Sequence, residues 1–236
     1  MRRRGFGGLL TDEQWSRLTS TAKRVPFTEG QILLHQGAEA NGVHLILSGR
    51  VRVVVARADG SSVPLAFRTH GEVLGESVLG GEKNIRSATV TALGHGATVY
   101  LSARDFQHRL SELDLNAVLW RSVLLRQSES DRLRVHQSVL PADRRLPAAL
   151  VQLARMLGEP IPAALTDESA VPGEGRLLLV PLPQQEIADF VGLSRTSVHH
   201  SYTRLKERKL IRIGRRYVAI LDLEALEALA YSEDPE

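Results

Sequence analysis

Over the first hundred residues the apolar positions fall into short runs rich in β-branched residues: QILLHQ (31–36), VHLILSG (43–49), RVRVVVAR (50–57), SVPLAFR (62–68), IRSATVTAL (85–93) and ATVYLS (97–102). Gly, Asn, Asp and Ser separate them, and many short strands at such spacing predict a β-sandwich or barrel. Asp59-Gly60, in RADGSS, supplies the positive φ angles of a tight hairpin turn. Ahead of the strands, LTDEQWSRL reads as a short helix. Thr11 is its N-cap and Gln14, three residues on, completes a capping box, with Leu10, Trp15 and Leu18 as its apolar side.

From Ser102 the period changes. SARDFQHRL opens on a Ser N-cap, and residues 115–140 contain neither Gly nor Pro, which predicts one helix of about 37 Å at 1.5 Å per residue. Such a helix is longer than a small sandwich can cover and is expected to pack on a second copy of itself. Two seams are possible, Leu119, Val123, Ser130, Leu133 and Leu140 or Ala117, Leu124, Ser128, Asp131 and Val135. Its centre, RQSESDR (126–132), is polar all round, either because it faces water or because a polar ligand meets it.

Past Pro141, RRLPAALVQLARMLG is an amphipathic helix with Leu146, Leu150, Leu153 and Leu157 on one side. A Pro/Gly-containing loop and the strand RLLLVPL follow, then two helices parted by VGLS and the basic hairpin LIRIGRRYVAIL. Helix, Gly-containing turn, helix and wing make a winged helix-turn-helix. The chain is therefore read as α+β in three parts: a sandwich domain (1–110), a dimerisation helix (111–140) and a winged helix-turn-helix domain (141–236).

The length of 236 residues with 43% hydrophobic composition suits two modest globular domains. Absence of cysteine removes disulfides, iron–sulfur clusters, thiolate metal sites and a cysteine nucleophile. No apolar run reaches 18 residues and no signal peptide is evident, so a cytoplasmic protein away from membranes is expected. The net charge of +3 is mild, but residues 194–217 hold eight Lys/Arg against one acid, Glu207. A solvated basic face is the plain explanation; it does not explain the helix–turn–helix–hairpin order, which points to DNA.

In that motif the inner face of the second helix, Val198, Tyr202 and Leu205, packs on Ile187, Ala188, Val191 and Leu193. Its outer face offers donors to bases and phosphates. Ser194 is the N-cap, and Arg195, Thr196, Ser197, His199 and His200 occupy the first turns, which enter the major groove. Gln184, Arg204 and the wing residues Arg212, Arg215 and Arg216 complete the candidate DNA contacts.

The order sandwich, long helix and winged helix-turn-helix, with QQEIADFVGLSRTSVHHSYTRLKERKLI, resembles the cyclic-AMP receptor protein/FNR family of bacterial transcription regulators over roughly residues 9–220. A second mark is GEVLGESVLGGEKNIRSATV (71–90), similar to the family's phosphate-binding cassette, with Gly75-Glu76 and then Arg86-Ser87. The resemblance implies that Arg86 neutralises a cyclic phosphate and Glu76 accepts from the ribose 2′-OH. A structural Glu–Arg pair in a turn is the competing reading.

Spacing carried ungapped from Arg86 puts Asp131 and Arg132 where the cyclic-AMP receptors hold the adenine amino group, and Gln127 where a basic residue is usual. Asp131 could accept from an adenine amino group or from guanine. The resemblance thus implies cyclic AMP or cyclic GMP as effector; FNR-type iron–sulfur sensing is set aside for want of cysteine, and no metal is expected. Haem would need a His ligand, and His35, His44, His70, His95 and His108 are isolated in sequence. It also implies a homodimer on a palindromic double-stranded DNA operator, and RNA polymerase as a partner if the protein activates. Arg195 matches the family's guanine-gripping Arg, whereas Thr196 replaces a Glu and His200 a second Arg. The rival function is a cyclic-nucleotide-binding interaction module without sequence-specific DNA binding. An enzyme is not expected: there is no nucleophile–base pair, metal motif or Walker loop, GESVLGGE lacking the loop's Lys.

Overall fold

The computed structural model describes residues 2–57, 60, 62–80, 85–162, 175–179, 183–214 and 216–231. It divides into two compact units, Met1–Glu129 and Ser130–Glu236, so the boundary falls inside the long helix.

The first unit begins with α1 (Gly5–Gly8) and α2 (Asp12–Thr19), continues through strands β1 (Lys23–Phe27), β2 (Ile32–Leu34), β3 (Gly42–Ser48), β4 (Arg50–Ala56), β5 (Ser62–Thr69), β6 (Val73–Leu74), β7 (Thr89–Ala92) and β8 (Gly96–Ser102), and then enters α3 (Ala103–Glu112) and α4 (Asn116–Val139). The strands make two antiparallel four-stranded sheets, β1-β8-β3-β6 and β2-β7-β4-β5. Phe27, Leu34, Ile46, Val51, Leu74, Val90 and Ala92, drawn from both sheets, form the core between them. The opposite face of the first sheet is covered as well, since Val43, Leu45, Val99 and Leu101 pack with Phe6, Trp15, Leu18, Phe106, Leu110 and Leu119 of the helices and Leu115 just ahead of α4. A sheet buried on both faces explains why β3 reads as a continuous apolar run.

The local signals act as read. Thr11 and Gln14 exchange both capping-box bonds, at 3.0 and 3.1 Å, and Ser102 caps α3 through Asp105 N at 3.1 Å. Strand β1, KRVPF, escapes the sequence reading. It carries two cations and a proline, which is tolerated because the strand lies at the sheet edge and pairs with β8 alone. Asp59 of the expected hairpin turn lies outside the described residues. In α4, Leu119 is buried and Val123, Ser130, Leu133 and Leu140 are half-buried, whereas Ala117, Leu124, Ser128, Asp131 and Val135 are all exposed. The second seam is the one left open.

The second unit contains the end of α4, then α5 (Ala142–Leu157), β9 (Glu159–Pro160), β10 (Arg176–Leu178), α6 (Gln184–Val191), α7 (Arg195–Glu207), β11 (Ile211–Ile213), β12 (Val218–Ile220) and α8 (Leu223–Tyr231). Its sheet runs β11-β12-β10-β9. Leu146, Leu150, Leu153 and Leu157 of α5 are buried, and Arg155 Nη2 donates to both carboxylate oxygens of Glu227 on α8 at 2.6 Å. Among the described residues no helix is long and apolar enough to cross a membrane.

Candidate functional site

After β6, Gly75 adopts a left-handed φ of 81° and turns the chain into a single 3-10 turn, Glu76–Leu79. The positive φ calls for Gly, and a Cβ there would press on the end of the Arg86 side chain and displace it. Arg86, only 6% exposed, donates from Nη1 to Gly75 O at 3.1 Å and from Nη2 to Gly42 O at 2.7 Å. The start and the end of the 71–90 segment are thereby tied together, with a guanidinium at the closure. Burial pushes the Arg86 guanidinium below its ordinary value, while Tyr100 and Glu76 favour its charged form. Ser87 is exposed beside it.

Glu76 does have an arginine partner, but not one the sequence reading named. Arg126 of α4 donates from Nη1 to Glu76 Oε1 at 2.7 Å and from Nη2 to Val73 O at 2.7 Å. Gln127, the residue reached by ungapped spacing, is exposed on the next position of the helix. Helical periodicity holds the missed signal: Leu119, Ser122, Arg126 and Glu129, continuing the spacing from Leu115 just ahead of the helix, are the buried or half-buried side of α4. Arg126 Nε is buried and has no hydrogen-bond partner among the described residues, an unspent donor at the edge of the cassette.

Beside this pair lies a second one. Arg68, at the end of β5, has Nε 3.3 Å from Glu72 Oε1 and Nη1 3.7 Å from Glu129 Oε2, and Nη1 also donates to Phe67 O at 3.0 Å. Thr69 N donates to Glu72 Oε2 at 2.7 Å. Burial pushes the Glu72 carboxyl above its ordinary range against the pull of Arg68 and Arg126. Two arginines and three glutamates therefore meet between the cassette and α4.

His44 of β3 lies close to the same region. Its Nδ1 is 2.9 Å from Thr98 Oγ1 and its ring sits 5.2 Å from that of Tyr100. Burial, with the charge of Arg86 in support, pushes its pKa down to about 4, so it is neutral at pH 7. Among the described residues no group of three or more His, Asp or Glu side chains converges as metal ligands would.

Within the second unit the helix-turn-helix is built as its sequence dictates. Gly192 closes α6 in the left-handed region at φ 67°, and Leu193 N returns to Ala188 O at 2.9 Å. Ser194 then caps α7 by accepting from Ser197 N at 3.0 Å. Val198, Tyr202 and Leu205 of α7 are buried, as are Ile187, Ala188 and Val191 of α6. Arg195, Thr196, His199 and His200 are exposed together, with Ser197 half-buried among them. Gln184 Nε2 lies 3.4 Å from His199 Nδ1, which places the first residue of α6 against the outer face of α7. Arg204 instead turns to α5, donating to Asp143 O at 3.1 Å and pairing with its carboxylate at 3.4 Å. On the wing Arg216 is exposed; Arg215 lies outside the described residues. The base-pairing candidates on α4 are exposed, and Asp131 pairs with Arg134 at 3.0 Å while Arg132 points to solvent.

Two family models match the sequence, a cyclic nucleotide-binding domain over residues 24–112 and a Crp-like helix-turn-helix domain over residues 144–229. The chain is 26% identical over 227 residues to a cyclic AMP receptor protein of Thermus thermophilus, covering 96% of each. It is 27% identical over 214 residues to the nitrogen fixation regulation protein FixK of Rhizobium meliloti, covering 90% of this chain and 87% of that one. The solved structure of FixK2 from Bradyrhizobium japonicum matches it with a TM-score of 0.71 at 16% identity, over 90% of this chain and 99% of that one, a likeness of fold.

Proposed function

The chain belongs to the cyclic-AMP receptor protein/FNR family of transcription regulators and is a DNA-binding regulator, not an enzyme, and from that premise we propose that it is a homodimer whose DNA binding responds to a cyclic nucleotide. The observation that carries the effector is the cassette with its buried guanidinium and an unspent Nε–H donor beside it. A cyclic phosphate meets Arg86, and the ribose 2′-OH can donate to Glu76, which Arg126 holds in place. The ligand supplies one negative charge and a hydroxyl donor, and the chain supplies one orphaned donor and one carboxylate.

The open seam of α4 supports the homodimer. Trp120 and Leu124 are 62% and 65% exposed and Val135 and Val139 53% and 72%, more apolar surface than a solvated helix normally shows. Two α7 helices about 34 Å apart would then enter successive major grooves of a palindromic operator. Calorimetry of the full chain against cyclic AMP and cyclic GMP, followed by operator binding at several salt concentrations, tests the reading. Saturable nucleotide binding that alters operator affinity, and a steep loss of that affinity with salt, are expected; absence of nucleotide binding removes the effector, and a flat salt response removes the DNA role.

A further inference from the structure

The five charged side chains between the cassette and α4 are arranged in sequence along the helix. Arg126 reaches Glu76, which is the ribose end of the proposed site, and Glu129, three residues further on the same face, reaches Arg68. Three residues advance about 4.5 Å along a helix, roughly the step from a ribose hydroxyl to the edge of the attached base. The Arg68–Glu129 pair is therefore what a base meets when its sugar sits at Glu76. Arg68 is 8% exposed, a cation carried on a strand where an apolar side chain would cost nothing to bury. Phe67 O and Glu72 engage two of its five N–H groups.

We infer that Arg68 and Glu129 form a base-reading subsite that selects guanine over adenine. An arginine has donors and no acceptor, so it pairs with the O6 and N7 acceptors of guanine and leaves the amino group of adenine facing another donor. A carboxylate has acceptors only and suits guanine N1–H and the 2-amino group. The contact between Arg68 and Glu129 is long, 3.7 Å, and Glu129 is 43% exposed in its side chain, so a flat ring edge can take both partners without breaking a tight bond. Glu72, with Thr69 N on its other oxygen, holds Arg68 from behind and keeps its fork aimed.

The inference rests on the cyclic-nucleotide reading, and the test separates the two. The full chain is titrated calorimetrically with cyclic GMP, cyclic IMP and cyclic AMP. Cyclic IMP keeps O6, N7 and N1–H but lacks the 2-amino group, so the expected order is cyclic GMP, then cyclic IMP, then cyclic AMP, with at least a tenfold gap before the last. Arg68→Met combined with Glu72→Gln leaves no uncompensated buried charge; it is expected to weaken cyclic GMP about tenfold and to change cyclic AMP less than twofold. Glu129→Ala, at a half-exposed helix position, keeps the decision open if the double variant does not fold, and should bring cyclic GMP and cyclic IMP to equal affinity. Cyclic AMP binding as tightly as cyclic GMP, or nucleotide ratios unmoved by Glu129→Ala, overturns the subsite and leaves the effector reading standing. Binding of none of the three overturns both.

Discussion

Protonation of His44 should destabilise the sandwich, and the size of the effect follows from its surroundings. The imidazole is buried against Thr98 and Tyr100, and burial together with the nearby Arg86 charge lowers its pKa from 6.5 to about 4. Because the folded value is depressed, the unfolded chain takes up the proton first. Stability is then complete above the unfolded pKa near 6.5 and is lost as pH falls toward 4. A single such group costs about 2 kcal/mol between pH 7 and pH 5, and on the order of 3 kcal/mol once both states are protonated. His44→Asn keeps a polar atom near the Nδ1 position and cannot charge in this range, so the variant should start less stable at pH 7 but lose about 2 kcal/mol less on going to pH 5. Urea unfolding followed by tryptophan fluorescence, at a fixed protein concentration, is the assay, because both tryptophans, Trp15 and Trp120, lie in the first unit. Equal losses between pH 7 and pH 5 in the two proteins would refute the argument that His44 is held neutral by its site.

Arg86→Ala takes the donor from Gly75 O and Gly42 O and should lower the tryptophan unfolding midpoint, while the protein, still folded without denaturant, should lose tenfold to a hundredfold in nucleotide affinity in calorimetry, the worth of a charge-assisted bond of about 1.5–3 kcal/mol. Arg126→Lys keeps a charge but cannot bridge Glu76 and Val73 O together; calorimetry should show weaker nucleotide binding, and by linkage the factor by which saturating nucleotide changes operator affinity should equal the factor by which operator changes nucleotide affinity in the same variant. Leu124→Glu with Val135→Glu places like charges on the open seam of α4, and sedimentation should report a monomer at concentrations where the unmodified chain is a dimer. Arg195→Ala should cost about 1–3 kcal/mol of operator affinity and relax one position in each half-site. Selection from random DNA should return sites that keep the Arg195-read guanine and depart from the family prototype opposite Thr196 and His200.

How far the sequence could be read depended on whether the information was local. Capping at Thr11, Ser102 and Ser194 was legible because each cap is decided within four residues. The helix-turn-helix was legible for the same reason: Gly192, Ser194 and the apolar spacing of α7 lie in one continuous stretch. Strand β1 was not, because its place at a sheet edge depends on β8, whose paired residues run from Gly96 to Tyr100 far along the chain, and nothing within KRVPF announces it. Two-residue strands such as β6 carry too few side chains to show a period at all.

The candidate site divides along the same line. Gly75, Glu76 and Arg86 belong to one segment and were recognisable as a group, whereas the partner of Glu76 comes from a helix fifty residues on. Counting from Arg86 ignores the loops, where the chain takes up length freely, and the count ended one residue late, at Gln127. Reading the face of the helix avoids this, because position within a helix is fixed by the 3.6-residue turn whatever precedes it. Leu119, Ser122, Arg126 and Glu129 share the side that packs inward, and Ala117, Leu124, Ser128, Asp131 and Val135 share the side left open. One helix thus presents charged groups to the cassette on one face and an apolar seam to water on another. In the proposed homodimer this makes α4 the element through which occupancy of the cassette and contact with the second copy act on each other, since neither face can rotate without moving the other.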